Sequence, residues 1–209
     1  MTILLRALTL LGLAPIRTNG HFATALTVLK VAVVAGIGLA AFAFGDGSVG
    51  HFAESGASGS CENVEASARL GLAGFGAAVV GALWSFTGWS IVTYVAEEVQ
   101  APEKTLPRAL ISGSVILTAI YLLANAGYFF VLTPAEVASV PDSSSVAGEV
   151  LIRLIGAGGV ALMAAGLMAS SFASMHAVMV TQTRMAFAMA SDGLLLRSLA
   201  NISKRSPVP

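Results

Sequence analysis

The chain has 209 residues, of which 56% are hydrophobic and 11% charged, with eleven basic and eleven acidic side chains and a mean hydropathy of +0.84. That composition excludes a water-soluble globular domain. Zero net charge leaves no global field to recruit nucleic acid, and the single cysteine, Cys61, excludes an internal disulfide framework.

The first apolar run, Ile3 to Ala14, has the length of a signal-peptide core, but Arg6 interrupts it and no small-residue cleavage site follows. It reads as the remnant of a preceding membrane helix. Four longer stretches then exceed the roughly 20 residues that a crossing needs: Phe22 to Phe44, Leu70 to Ala96, Ala109 to Leu132 and Val150 to Val180. The expected fold is all-α and integral to the membrane, with four transmembrane helices in a single membrane domain and a cytoplasmic tail over residues 184–209.

Arg17-Thr18-Asn19-Gly20-His21 leads into the first span, inside which Lys30 is the one basic residue. An ammonium at the bilayer centre costs on the order of 3 kcal/mol, so Lys30 either snorkels towards the nearer interface or is buried against carbonyls and hydroxyls. Ser170, Ser171 and Ser174 in the fourth span are the candidate partners. Gly45-Asp46-Gly47 ends the first span, and an exposed loop rich in Gly, Ser and acidic residues follows to Ser67.

The second span holds Gly71, Gly74, Gly76 and Gly81, which allow close helix packing. Near its middle lies Trp84-Ser85-Phe86-Thr87-Gly88-Trp89. A polar, glycine-containing interruption there predicts a broken helix, because peptide groups in hydrocarbon must be paired inside the protein or face a cavity. Freed amides and carbonyls around Ser85, Phe86 and Thr87 would face that cavity, with Trp84 or Phe86 covering a ligand and Gly88 completing the set of candidate binding residues. Aromatic faces attract ammonium groups by about 0.5 to 2 kcal/mol.

Pro102 is expected to end the second helix, and Pro107 to stand in the first turn of the third. Thr133-Pro134-Ala135-Glu136 carries a capping-box pattern that should open a short outer helix. In the fourth span Ala161, Ala165, Ala169, Ala173 and Ala177 recur every four residues, a ridge suited to packing inside a bundle. His176, on the same span, is either a hydrogen-bonded packing residue or a substrate or pH contact.

Acidic residues dominate the loops after the first and third spans. Arg17, Lys104, Arg108, Arg184, Arg197, Lys204 and Arg205 lie before the first span, between the second and third, or after the fourth. The positive-inside rule then puts both termini in the cytoplasm. The sequence contains no nucleotide-binding loop, metal-ligand spacing or nucleophile–base arrangement, so enzyme chemistry has no support and no cofactor or metal is expected.

The string Gly81-Ala82-Leu83-Trp84-Ser85-Phe86-Thr87-Gly88-Trp89, followed by Tyr94-Val95-Ala96-Glu97-Glu98-Val99 and Pro102-Glu103-Lys104-Thr105-Leu106-Pro107-Arg108-Ala109, resembles the sixth-helix region of amino-acid permeases of the amino acid–polyamine–organocation superfamily, in its L-type branch. Leu26-Thr27-Val28-Leu29-Lys30-Val31 is similar to the fifth helix and Asn125-Ala126-Gly127-Tyr128-Phe129 to the seventh. Arg184 to Gly193 with Ser206-Pro207-Val208-Pro209 is similar to the stretch after the eighth. The resemblance implies part of a leucine-transporter-type inverted-repeat bundle with a discontinuous second span, in a bacterial inner membrane, working by alternating access on an amino acid. It implies that the carbonyls of Trp84, Ser85 and Thr87 bind the substrate ammonium, that Trp84 gates, and that Lys30, near Ser170, Ser171 and Ser174, fills the place of a sodium ion. The partners so implied are the amino-acid substrate, the lipid bilayer and the remaining helices of the permease.

Thr87 stands where that family commonly has glycine, and His176 where it often has asparagine. On this reading the chain holds only helices five to eight. A non-transporting truncated bundle or assembly partner is the competing expectation, and a channel is disfavoured because few polar residues line a continuous path.

Overall fold

The structure, a computed structural model, describes residues 16–54, 60–61, 69, 71–196 and 198. The apolar remnant at Ile3 to Ala14, the acidic loop residues Glu62 and Glu65, and the end of the tail from 199 to 209 lie outside the described residues. What is described is helical, with no strand among the described residues. In chain order come α1 (Ile16–Phe44), a short 3-10 turn (Val49–Ala53), α2 (Gly71–Trp84), a 3-10 helix (Trp89–Glu98), α3 (Pro102–Val131), α4 (Pro134–Val137), α5 (Val146–Ile155) and α6 (Ala157–Ser191). Four stretches are long and apolar enough to cross a membrane: Thr18–Phe44, Gly71–Tyr94, Pro102–Val131 and Ala157–Ser191.

The chain forms two compact units. The first comprises Val31–Thr87 and Gly113–Leu167. In it α1 and α3 run parallel and close together because glycine removes the side chains between them. A Cβ added to Gly127 would lie 2.8 Å from the Gly38 carbonyl oxygen, and one added to Gly38 would lie 3.1 Å from that of Leu123. Their C-terminal ends are tied where the Ser48 amide donates to the Phe130 carbonyl at 3.0 Å. Around this contact Ile37, Ala41, Val131, Leu132, Val150 and Leu151 form the buried core. The second unit comprises Met1–Lys30, Gly88–Ser112 and Met168–Pro209. Here the start of α1 lies antiparallel to α6, Phe22 meeting the ring of Phe172 edge-on at 6.1 Å and Asn19 meeting His176.

Outside these contacts the apolar side chains point outward. Leu72 on α2 is 89% exposed and Phe75 69%. Water does not tolerate so large an apolar surface, whereas hydrocarbon needs no other cover for it.

Several boundaries differ from the sequence expectation. α1 is already wound at Ile16, so the polar lead before Phe22 is its first turn. Pro102 opens α3 instead of closing the preceding helix, and Pro107 sits inside α3. The reason is local: a proline in the first turn forfeits no ladder bond, and Ala101, with φ of +47°, accepts from the amides of Lys104 and Thr105 as the helix starts. The stretch from Val150 to Val180 is not one helix. Gly156, at φ +62° and ψ −141°, separates α5 from α6, a conformation that side chains resist. A Cβ on Gly159 would lie 2.6 Å from the Leu151 carbonyl oxygen, so the two helices fold tightly at this corner. Arg184 does not begin a tail. It is part of α6, which continues to Ser191, and its Nη1 donates to the Val180 carbonyl at 2.5 Å.

The capping box at Thr133 forms in full. Thr133 accepts from the Glu136 amide at 3.3 Å, and its own amide donates to Glu136 Oε2 at 2.8 Å. Arg153 of α5 then donates to Glu136 Oε1 at 2.5 Å and to the Val131 carbonyl at 3.2 Å, joining α3, α4 and α5 at one end. The Arg153 guanidinium first, and the Thr133 amide after it, hold the Glu136 carboxyl down to about 2 from an ordinary 4.5. Because the folded value is depressed, this stabilisation is complete above pH 4.5 and fades as pH falls towards 2. Glu136→Gln keeps an acceptor for the Thr133 amide and loses the charge facing Arg153, so it should lower stability at neutral pH by no more than about 1 kcal/mol, since both charged side chains are more than a third exposed. Thermal melts in detergent should show the gap between variant and wild type closing as pH drops below 4.5.

Candidate functional site

α2 ends at Trp84 because the next residues offer the backbone other partners. The Ser85 amide bonds the Ala82 carbonyl at 3.1 Å as well as that of Gly81 at 3.4 Å. The Phe86 and Thr87 amides bond the Leu83 and Trp84 carbonyls, both at 3.1 Å. These are tightened i to i−3 bonds. Gly88 then takes φ of +97°, open to glycine and unfavourable for other residues, and the chain goes on as a 3-10 helix whose first bond runs from the Ile91 amide to the Gly88 carbonyl at 3.1 Å. Hydroxyls reinforce the change, Ser85 Oγ donating to the Gly81 carbonyl at 3.3 Å and Thr87 Oγ1 to that of Trp84 at 2.8 Å. Ten residues of 3-10 helix, Trp89–Glu98, are long for that conformation, whose runs seldom exceed three or four residues, and such stretches mark hinges and functional breaks.

The interruption leaves polar groups outside the ladder. Among the described residues, no backbone donor reaches the carbonyls of Phe86 and Thr87, and the amides of Gly88, Trp89 and Ser90 make no backbone bond. Two of the three carbonyls named for an ammonium already accept a hydrogen bond. That of Trp84 is engaged by both the amide and the hydroxyl of Thr87. That of Ser85 accepts from the Tyr121 hydroxyl at 3.1 Å. Of the three, the Thr87 carbonyl receives no backbone donor among the described residues, and neither does that of Phe86 beside it. Trp84 is 76% exposed at the end of α2, and Phe86 packs edge-on against Tyr121, with ring centroids 5.5 Å apart.

Lys30 and two of the three serines come together. Lys30 Nζ donates to Ser174 Oγ at 3.0 Å, and Ser174 Oγ donates in turn to the Ser170 carbonyl at 3.1 Å. Lys30 is half-buried there. Ser171 is exposed, and among the described residues it makes no hydrogen bond through its side chain. His176 is 2% exposed. Its Nε2 lies 3.0 Å from Asn19 Oδ1, and Phe22 meets its ring edge-on at 5.2 Å. Its Nδ1 is buried and has no hydrogen-bond partner among the described residues. The sequence reading passed over Tyr121 and Asn19. Tyr121 had a signal, being a phenol within an apolar span where its hydroxyl must find an acceptor; Asn19 was hidden in what looked like an exposed polar lead.

Among the described residues no cluster of His, Cys, Asp or Glu could hold a metal ion. A cavity of about 490 Å³ between α1 and the α5–α6 corner is walled by apolar side chains such as Val33, Ile37, Phe44 and Leu154. It has nothing to pair with a zwitterion. The backbone interruption, by contrast, leaves carbonyls and amides outside the ladder.

The serine/threonine exchanger SteT of Bacillus subtilis (strain 168) is 31% identical over 116 residues, covering 56% of this chain and 26% of that protein. The Asc-type amino acid transporter 1 of Mus musculus is 30% identical over 128 residues, covering 60% of this chain and 23% of the relative. The b(0,+)-type amino acid transporter 1 of Oryctolagus cuniculus is 32% identical over 116 residues, covering 56% and 22%. The matching segment thus spans about a quarter of the length of these curated relatives. No solved structure matches significantly. The family model for amino acid permeases, by contrast, matches residues 1–209. With its helices long and apolar enough to cross a membrane, and that match running from first residue to last, the chain belongs to the amino acid permease family.

Proposed function

We propose that this chain is part of a secondary transporter that moves an amino acid across the bacterial inner membrane by alternating access, coupled to protons or to exchange, with both termini of the chain in the cytoplasm. The single observation that carries the reading is the interruption of α2 between Ser85 and Gly88, which leaves carbonyls unpaired within a segment apolar enough to cross a bilayer. Carbonyl oxygens at the end of a broken membrane helix are suited to an ammonium group. Phe86 and Thr87 supply the open acceptors, and the exposed ring of Trp84 is free to swing across a bound ligand. The names of the relatives, two transporters and an exchanger of amino acids, support the substrate class.

Lys30 takes the role of an internal cation. Its ammonium on Ser174 Oγ, with the Ser170 carbonyl behind, supplies a positive charge where a related transporter would need a bound ion. Protonation and deprotonation there would couple transport to pH.

The protein expressed from its complete open reading frame and reconstituted in liposomes should take up at least one member of a radiolabelled amino-acid panel saturably. Absence of both uptake and binding across the panel would contradict the proposal. Lys30→Ala should reduce uptake by about tenfold and flatten its pH dependence, a loss of about 1.4 kcal/mol in transition-state stabilisation. Unchanged uptake with an unchanged pH profile would remove Lys30 from the mechanism.

A further inference from the structure

Tyr121 touches the bend at two consecutive residues. From α3 its hydroxyl donates to the Ser85 carbonyl at 3.1 Å, and its ring meets that of Phe86 at 5.5 Å with the planes 84° apart. In an unbroken α-helix the Ser85 carbonyl would accept from the amide of Trp89, four residues on. That amide makes no backbone bond here, so the tyrosine hydroxyl stands in for the missing donor. Thr87 does the same one residue earlier, its amide and hydroxyl taking the Trp84 carbonyl that Gly88 would have bonded. The next two carbonyls, of Phe86 and Thr87, have lost the Ser90 and Ile91 amides and receive no backbone replacement among the described residues.

Two substitutes therefore end where the open acceptors begin. We infer that Tyr121 is a positioning residue for substrate recognition: by holding the Ser85 carbonyl and the Phe86 ring it leaves the carbonyls of Phe86 and Thr87 as the pair presented to an ammonium group. The inference rests on the transport reading above and adds to it which carbonyls are used and what holds them. Without the hydroxyl, the Ser85 carbonyl either stays unpaired or draws an amide back from the 3-10 segment, and either change moves its neighbours. A ring without the hydroxyl keeps the packing and loses only this control.

Tyr121→Phe tests the point in the reconstituted protein. KM for the best transported amino acid should rise about fivefold, the size expected from one neutral hydrogen bond, while kcat stays within about twofold. Phe86→Leu, which loosens the same tyrosine without deleting its hydroxyl, should raise KM in the same direction. The split between KM and kcat is what a general loss of packing would not produce. An unchanged KM, or a fall in kcat alone, in either variant overturns the inference. Failure of the wild-type protein to bind or move any amino acid is a different result, and it overturns the transport reading itself.

Discussion

Everything distinctive in this fold follows from the demand that a peptide group in hydrocarbon be paired or face a polar cavity. Along α1, α3 and α6 the demand is met by winding, and side-chain hydroxyls such as Thr24 and Thr118 merely add a bond to a carbonyl already in the ladder. Along α2 it is met only as far as Trp84. Beyond that point the ladder tightens, turns through a left-handed glycine and resumes as a 3-10 helix, so that some groups are paired by side chains and others are left open.

The remainder of the structure restricts where the opening can be. Gly38 and Gly127 bring α1 and α3 together at a distance no side chain could share, and the buried cluster around Val131, Leu132 and Val150 fixes one end of those helices. The Thr133 capping box and Arg153 tie the same end, outside the apolar spans. Tyr121 projects from α3, so the hydroxyl that completes Ser85 is delivered by a helix that is itself anchored. Rigid support on one side and an unwound stretch on the other suit the binding role proposed above for the bend.

Local chemistry was the part open to reading from sequence. Thr133-Pro134-Ala135-Glu136 forms its cap because all the partners lie within four residues. The bend was legible for the same reason, since Ser85, Thr87 and Gly88 each offer the backbone an alternative to the α-helix. Two prolines near a boundary were not decisive: Pro102 and Pro107 both suit a helix start, and the positive φ at Ala101 selects the first. Nothing local sets Gly156 apart within the fourth apolar stretch, and only its positive φ marks the corner between α5 and α6. Lys30 and its serines could be proposed from helix faces, yet the choice of Ser174 over Ser171 depends on how α1 meets α6, which no local pattern encodes. The bond that Tyr121 makes to the Ser85 carbonyl was out of reach for a similar reason, because the donor lies far away in sequence.

Amide hydrogen exchange read residue by residue across 78–92 tests the central claim most directly. The account predicts slow exchange at Val79 to Leu83, inside α2, and fast exchange at Gly88, Trp89 and Ser90, whose amides lie outside the ladder within the same apolar segment. Uniformly slow exchange through Gly88 and Ser90 would mean a continuous helix, and the account would be wrong.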